Sequence, residues 1–134
     1  PVQATYKNKD GITLQRYDRC IGCKYCIVAC PYSARFVHPK TTPTIYDKLT
    51  HKSKSKVIDK CTFCYHRVIE GIEPACVEAC PGKARIFGDL KNPEAEVSKR
   101  VAGLSMQTRK PEQGTDPQVF YHQADEHIMK GGSH

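Results

Sequence analysis

Eight cysteines fall in two blocks, and each block closes on Cys-Pro. The first runs Cys20-Ile-Gly-Cys23-Lys-Tyr-Cys26-Ile-Val-Ala-Cys30-Pro31. The second runs Cys61-Thr-Phe-Cys64, then eleven residues, then Cys76-Val-Glu-Ala-Cys80-Pro81. The first has the spacing C-x2-C-x2-C-x3-C-P, which wraps iron–sulfur clusters. Three thiolates two residues apart hold one corner of an iron–sulfur cube, because the chain must bend tightly around it. The fourth lies past a short helical turn, points away and serves a different cluster. In the second block the middle is stretched, with Cys61, Cys64 and Cys76 as the triad and Cys80 as the outward ligand.

Other metal and thiol chemistries fit the spacing poorly. Structural zinc takes two short cysteine pairs that converge on one tetrahedron. Four cysteines within eleven residues, followed by proline, do not divide that way. A disulfide framework suits short secreted chains, but it gives no reason for two triads or for Cys-Pro twice. No nucleophile with a base, phosphate loop or paired-carboxylate site is evident. His66, two residues past Cys64, is expected to pack or to donate to sulfur, not to ligate iron.

The elements that carry these cysteines repeat. Cys26-Ile-Val-Ala-Cys30-Pro31-Tyr-Ser-Ala34-Arg35-Phe36-Val37 aligns with Cys76-Val-Glu-Ala-Cys80-Pro81-Gly-Lys-Ala84-Arg85-Ile86-Phe87. Each copy reads as a short helix with two cysteines, a proline break and a short apolar strand. Two copies are what a pseudo-twofold ferredoxin fold needs. Pro1-Val-Gln-Ala4-Thr-Tyr6 repeats the pattern Pro-x-x-Ala-x-aromatic, and the chain starts with Pro. The expectation is a piece of a longer polypeptide, cut just after another cluster cysteine.

The remaining elements follow from turn and cap signals. Ala4 to Lys7 and Ile12 to Gln15 read as strands around Asn8-Lys9-Asp10-Gly11, an Asp-Gly turn. Helices are expected over residues 24–30, 62–70, from Glu73-Pro74 onward, and from Asn92-Pro93-Glu94 to about Ala102. Residues 107–118, with Pro111, Gly114 and Pro117, read as extended linker, and Val119-Phe120-Tyr121 as an edge strand. The fold class is α+β and bacterial-ferredoxin-like: short strands and short helices around [4Fe–4S] clusters. Residues 1–90 form the cluster-binding region, with a basic loop insertion over 39–60. Residues 91–134 form a C-terminal helix and an extended tail with a mobile end.

Composition agrees. There is no Trp, and the 39% hydrophobic content includes the eight cysteines, so the organic core is small and clusters act as its staples. The formal charge is +7. With eight thiolates and two oxidised cores counted, it falls to about +3, which weakens a nucleic-acid reading. The segment 39–60 holds Lys40, Lys48, Lys52, Lys54, Lys56 and Lys60 against Asp47 and Asp59. It reads as a solvated loop, or as a docking loop for an acidic partner or an anionic membrane surface. No run of eighteen apolar residues is present, so no transmembrane span is expected. Lys24, Arg35, Arg67 and Arg85 lie near the triads and are candidates for raising cluster potentials.

Three stretches resemble a known family: Tyr17-Asp-Arg-Cys20 through Cys30-Pro-Tyr, Lys60-Cys61-Thr-Phe-Cys64-Tyr-His-Arg67, and Gly71-Ile-Glu-Pro74-Ala-Cys76 through Gly88-Asp-Leu90. They are similar to the third and fourth cysteine motifs of four-cluster iron–sulfur subunits of membrane-bound respiratory complexes. Such complexes include polysulfide, thiosulfate and dimethyl sulfoxide reductases, membrane formate dehydrogenase and alternative complex III. The resemblance implies a non-catalytic electron-transfer subunit with up to four [4Fe–4S] clusters. It would relay single electrons between a catalytic, molybdenum-type, or cytochrome subunit and a quinone-reactive membrane anchor subunit. The implied location is membrane-associated through partner subunits, on the periplasmic face. In the family the third motif pairs with the second and the fourth with the first, so Cys30 and Cys80 would serve clusters outside these two triads. In a stand-alone soluble two-cluster ferredoxin, the alternative, Cys80 would complete the Cys20, Cys23 and Cys26 cluster, and Cys30 that of Cys61, Cys64 and Cys76.

Overall fold

The computed structural model describes residues 1–38 and 57–130. The chain divides into two compact units, Pro1–Phe63 and Cys64–His134. The segment 39–56, and with it most of the expected basic loop, lies outside the described residues, as do residues 131–134.

In the first unit, strands β1 (Thr5–Lys7) and β2 (Thr13–Gln15) pair antiparallel, with Tyr6 opposite Leu14. Asn8 makes the turn: its side-chain oxygen accepts from the backbone N–H of Asp10 at 3.1 Å and of Ile12 at 2.8 Å. Helix α1 (Tyr25–Val28) follows the first three cysteines, and β3 (Arg35–Val37) follows Cys30-Pro31. Its partner is β4 (Ile58–Lys60), in the register Arg35↔Lys60, Phe36↔Asp59, Val37↔Ile58.

This strand corrects the expected limits of the basic insertion. Val57 and Ile58 are buried and join Ala4 and Cys20 in the core, packed against Val2, Tyr17, Cys26 and Ile27. An apolar pair beside a cysteine block belongs in the core, whatever charge run precedes it. Asp59 and Lys60 are likewise tied in: Tyr17 Oη donates to Asp59 Oδ1 at 2.5 Å, across 42 residues of sequence.

The second unit carries α2 (Tyr65–Val68), α3 (Ala75–Glu78), α4 (Glu96–Gly103), the antiparallel pair β5 (Met106–Thr108) and β6 (Phe120–His122), and α5 (Glu126–Lys130). Several expectations are revised. The helix expected over 62–70 starts only at Tyr65, because Phe63 and Cys64 take positive φ and turn the backbone out of helical geometry. The helix expected from Asn92 begins at Glu96, because the Asn92 side chain accepts from the Glu94 N–H and closes a turn instead. The stretch 84–87 forms no strand, and its N–H groups at Ala84 and Arg85 favour the Cys80 thiolate. The expected linker begins in β5 and includes a 3-10 turn over Pro111–Gln113, so the tail folds back as a hairpin, with β6 where the edge strand was expected.

Gly88 allows the close approach of the chain to α4. A Cβ there would stand 2.9 Å from Val97 Cγ1 and 3.6 Å from its Cβ. Valine is stiff at χ1 and cannot swing clear. Gly88→Ala should therefore lower stability by about 1 kcal/mol through overpacking. Val97→Ala in the same chain should restore most of it, as read by thermal unfolding of the four combinations.

Candidate metal centre

The two cysteine blocks bend by the same device. The residue before the second cysteine is left-handed in both: Gly22 at φ 69° and Phe63 at φ 55°. Glycine takes this conformation freely, whereas phenylalanine pays a steric cost of about 1–2 kcal/mol. A second device follows each Cys-Pro. Ser33 at φ 52° and Lys83 at φ 46° occupy matching positions, each donating its N–H to the carbonyl of the block's last cysteine, at 3.4 Å to Cys30 and 3.1 Å to Cys80. Gln3, at φ 51°, occupies the same place in Pro1-Val-Gln-Ala4. The internal repeat read from sequence is thus present in the backbone in all three copies.

Cys20, Cys23, Cys26 and Cys30 line one cavity of about 550 Å³ in the first unit. Cys20 is buried, and its Sγ accepts from the Ile58 N–H at 3.5 Å. Cys23 is exposed, while Cys26 and Cys30 are intermediate. Cys61, also in this unit, is exposed and accepts at Sγ from the Phe63 N–H at 3.4 Å. Among the described residues, no three His, Cys, Asp or Glu converge on a point that a single metal ion would fill. A four-iron cube takes its thiolates at separate corners, and Cys20, Cys23 and Cys26 in this cavity could supply three of them.

In the second unit, Cys64 precedes α2, Cys76 lies on α3 and Cys80 follows it. The surroundings of Cys80 favour its thiolate. The N–H of Ala84 does most to hold its thiol below the ordinary range, and desolvation opposes this. The N–H groups of Arg85 and Gly82 and the Arg85 charge add to the lowering. A loop that turns several N–H groups on one sulfur is suited to a thiolate ligand. Arg67 closes the stretched middle of this block. Its Nε donates to the Glu73 carbonyl at 2.8 Å, and its Nη2 pairs with Glu78, joining α2 to α3.

Of the other residues singled out from sequence, Lys24 caps α1 in a left-handed conformation and lines the first cavity, as does Arg35. His66 is exposed on α2. Lys60 is the functional candidate that the sequence pattern conceals, because its charge groups it with the basic loop. It lines the cavity, and its Nζ donates to the carbonyls of Thr13 and Cys61. Burial lowers its pKa, against the influence of Cys61, while Arg35 lowers it further. Its place directly before Cys61, after the apolar pair Val57-Ile58, is the signal that could have found it.

A chain with these loops and this cavity is a ferredoxin-like [4Fe–4S] protein with short strands and helices. Family models agree: residues 15–36 match a 4Fe-4S binding domain and residues 40–90 a 4Fe-4S dicluster domain. The chain is 45% identical over 124 residues to a protein of Halobacterium salinarum named as a dimethyl sulfoxide reductase iron-sulfur subunit, covering 90% of this chain and 47% of that protein. It is 46% identical over 127 residues to a tetrathionate reductase subunit of Salmonella typhimurium, covering 90% and 44%. It is 39% identical over 157 residues to the iron-sulfur cluster-binding subunit of a menaquinone reductase of Nitratidesulfovibrio vulgaris, covering 98% and 62%. Over 90% or more of its length the chain is similar to these reductase iron–sulfur subunits, and it spans about half the length of the first two relatives.

The Arg67 clamp can be tested directly. Arg67→Ala should leave the ends of α2 and α3 untied and lower the iron and acid-labile sulfide bound per chain. The partly exposed ion pair itself contributes no more than about 1 kcal/mol to stability, so the loss should appear in cluster loading more than in unfolding. Full loading of the variant would show that the clamp is not needed.

Proposed function

We propose that this chain relays single electrons through [4Fe–4S] clusters held by Cys20, Cys23, Cys26, Cys30, Cys61, Cys64, Cys76 and Cys80. When bound, such a cluster accepts and returns one electron without breaking a bond. The protein's part is to hold the thiolates, exclude water and set the charge around them. The observation that carries this reading is the first cavity, lined by all four cysteines of one block and bent by left-handed residues that recur in the second.

The relay runs between a catalytic, molybdenum-type, or cytochrome subunit and a quinone-reactive membrane anchor. The reductase names of the relatives support the first partner, and the menaquinone reductase subunit supports the second. Attachment to the membrane is through partners, on the periplasmic face implied by the family resemblance. Among the described residues no helix is long and apolar enough to cross a membrane. Cluster binding belongs to residues 1–90, where both domain models fall, and residues 91–134 are appended to it in an α+β arrangement. We keep the family pairing, in which Cys30 and Cys80 complete clusters other than those of the two triads here.

The test uses the full-length protein with its partner subunits. Cys23→Ala should reduce quinone-linked turnover to near zero. Turnover of the catalytic partner with a soluble dye should persist, because the dye bypasses the relay. Equal loss of both activities, with the complex intact, would place Cys23 in the catalytic machinery and contradict the relay.

A further inference from the structure

Three cations, Lys24, Arg35 and Lys60, line the first cavity, and the polar partners of Arg35 and Lys60 among the described residues are neutral. Arg35 and Lys60 stand opposite each other in the β3–β4 register, and both line the cavity of Cys20, Cys23, Cys26 and Cys30. Arg35 Nη1 lies 3.3 Å from Thr5 Oγ1 and 3.3 Å from Gln15 Oε1. Lys60 Nζ has the Thr13 and Cys61 carbonyls. The neighbouring carboxylate, Asp59, accepts instead from the Tyr17 hydroxyl and the Lys60 backbone N–H. Neither cation takes part in an ion pair among the described residues.

This arrangement costs stability by itself. Like charges opposite each other in an antiparallel pair repel. A half-buried ammonium gives up water for two carbonyls and no ion pair, and the attraction of Cys61 and Asp59 offsets only part of the loss. The cost is relieved when an anion occupies the cavity. Four thiolates on a 2+ iron–sulfur core carry about −2, and about −3 after one electron is added. Two cations balance the first state and attract the second more strongly. In the second block the repeat's equivalent of Arg35 is Arg85, and Arg67 is neutralised by Glu78.

We propose that Lys60 and Arg35 are resident counter-ions of the cluster site in the first block and raise its reduction potential. This rests on the cysteines holding [4Fe–4S] clusters. Neither residue ligates iron or moves a proton. Reduction adds one electron, and Lys60 keeps its hydrogens on the two carbonyls.

Three variants of the full-length protein test this. Lys60→Met keeps most of the stem and removes the charge. Lys60→Arg keeps the charge. Arg35→Gln removes the second charge and leaves the Lys60 contacts in place. Iron and acid-labile sulfide are counted first, and potentials are then read by electron paramagnetic resonance during a dithionite titration. Wild-type protein without iron and sulfide would remove the cluster reading itself, independently of this proposal. In loaded protein, Lys60→Met and Arg35→Gln should each lower one cluster's potential by the equivalent of about a tenfold drop in its one-electron reduction constant, about 59 mV. Lys60→Arg should stay near wild type. Unchanged potentials in loaded Lys60→Met would overturn the proposal, and so would a fall in Lys60→Arg as large as in Lys60→Met. If Lys60→Met loads poorly, Arg35→Gln decides: a lower potential supports the proposal, and a wild-type potential overturns it.

Discussion

A thiolate held inside a protein must have donors turned toward it, and this requirement shapes the chain more than its apolar core does. Backbone N–H groups are the only donors available at every residue, and aiming them at one sulfur calls for left-handed turns. Left-handed residues recur at Gly22 and Phe63, and again at Gln3, Ser33 and Lys83; the Phe63 N–H reaches the Cys61 sulfur, while those of Ser33 and Lys83 reach the carbonyls of Cys30 and Cys80. Each interrupts regular structure, so α1, α2 and α3 are single turns of four residues and every strand has three. Elements this short bury little. The core around Ile58 includes Cys20 itself, so a proposed ligand is part of the packing it depends on. Loss of the metal would loosen both.

Charge is the second organising force, and the two blocks handle it differently. The repeat sets Val28 against Glu78 at equivalent positions. Val28 is exposed, whereas Glu78 neutralises Arg67 and ties α2 to α3. The second block thus uses a cation to close its longer loop. The first block, already closed by two-residue spacing, has Arg35 and Lys60 held by neutral partners at the cavity. An electron relay needs sites of graded potential, and an asymmetry of charge between two copies of one motif is a direct way to produce it.

The cysteine-lined cavity, the repeat, the first hairpin and the edge strand at 119–121 are legible in the sequence because each rests on local signals. Spacing, Cys-Pro and Asp-Gly do not depend on distant residues. The departures are of two kinds. Helix limits around residues 62–64 and 92–95 move because side chains and sulfur compete with helix bonds for the same N–H groups. Lys60 and β4 look like part of the basic run, and β5 like linker, because their partners lie far away in sequence. The tie from Tyr17 to Asp59 spans 42 residues, and no local window contains it. Likewise, residues 84–87 carry a strand-like pattern but form no strand, and their N–H groups at Ala84 and Arg85 favour the Cys80 thiolate instead.

The central claim is that these thiolates hold iron–sulfur clusters and not single ions. The most direct measurement is iron, acid-labile sulfide and zinc per chain after anaerobic purification. The account predicts iron and sulfide in equal amounts, about eight of each where two clusters are complete, with no stoichiometric zinc. Zinc bound at about one or two atoms per chain, without labile sulfide, would contradict it.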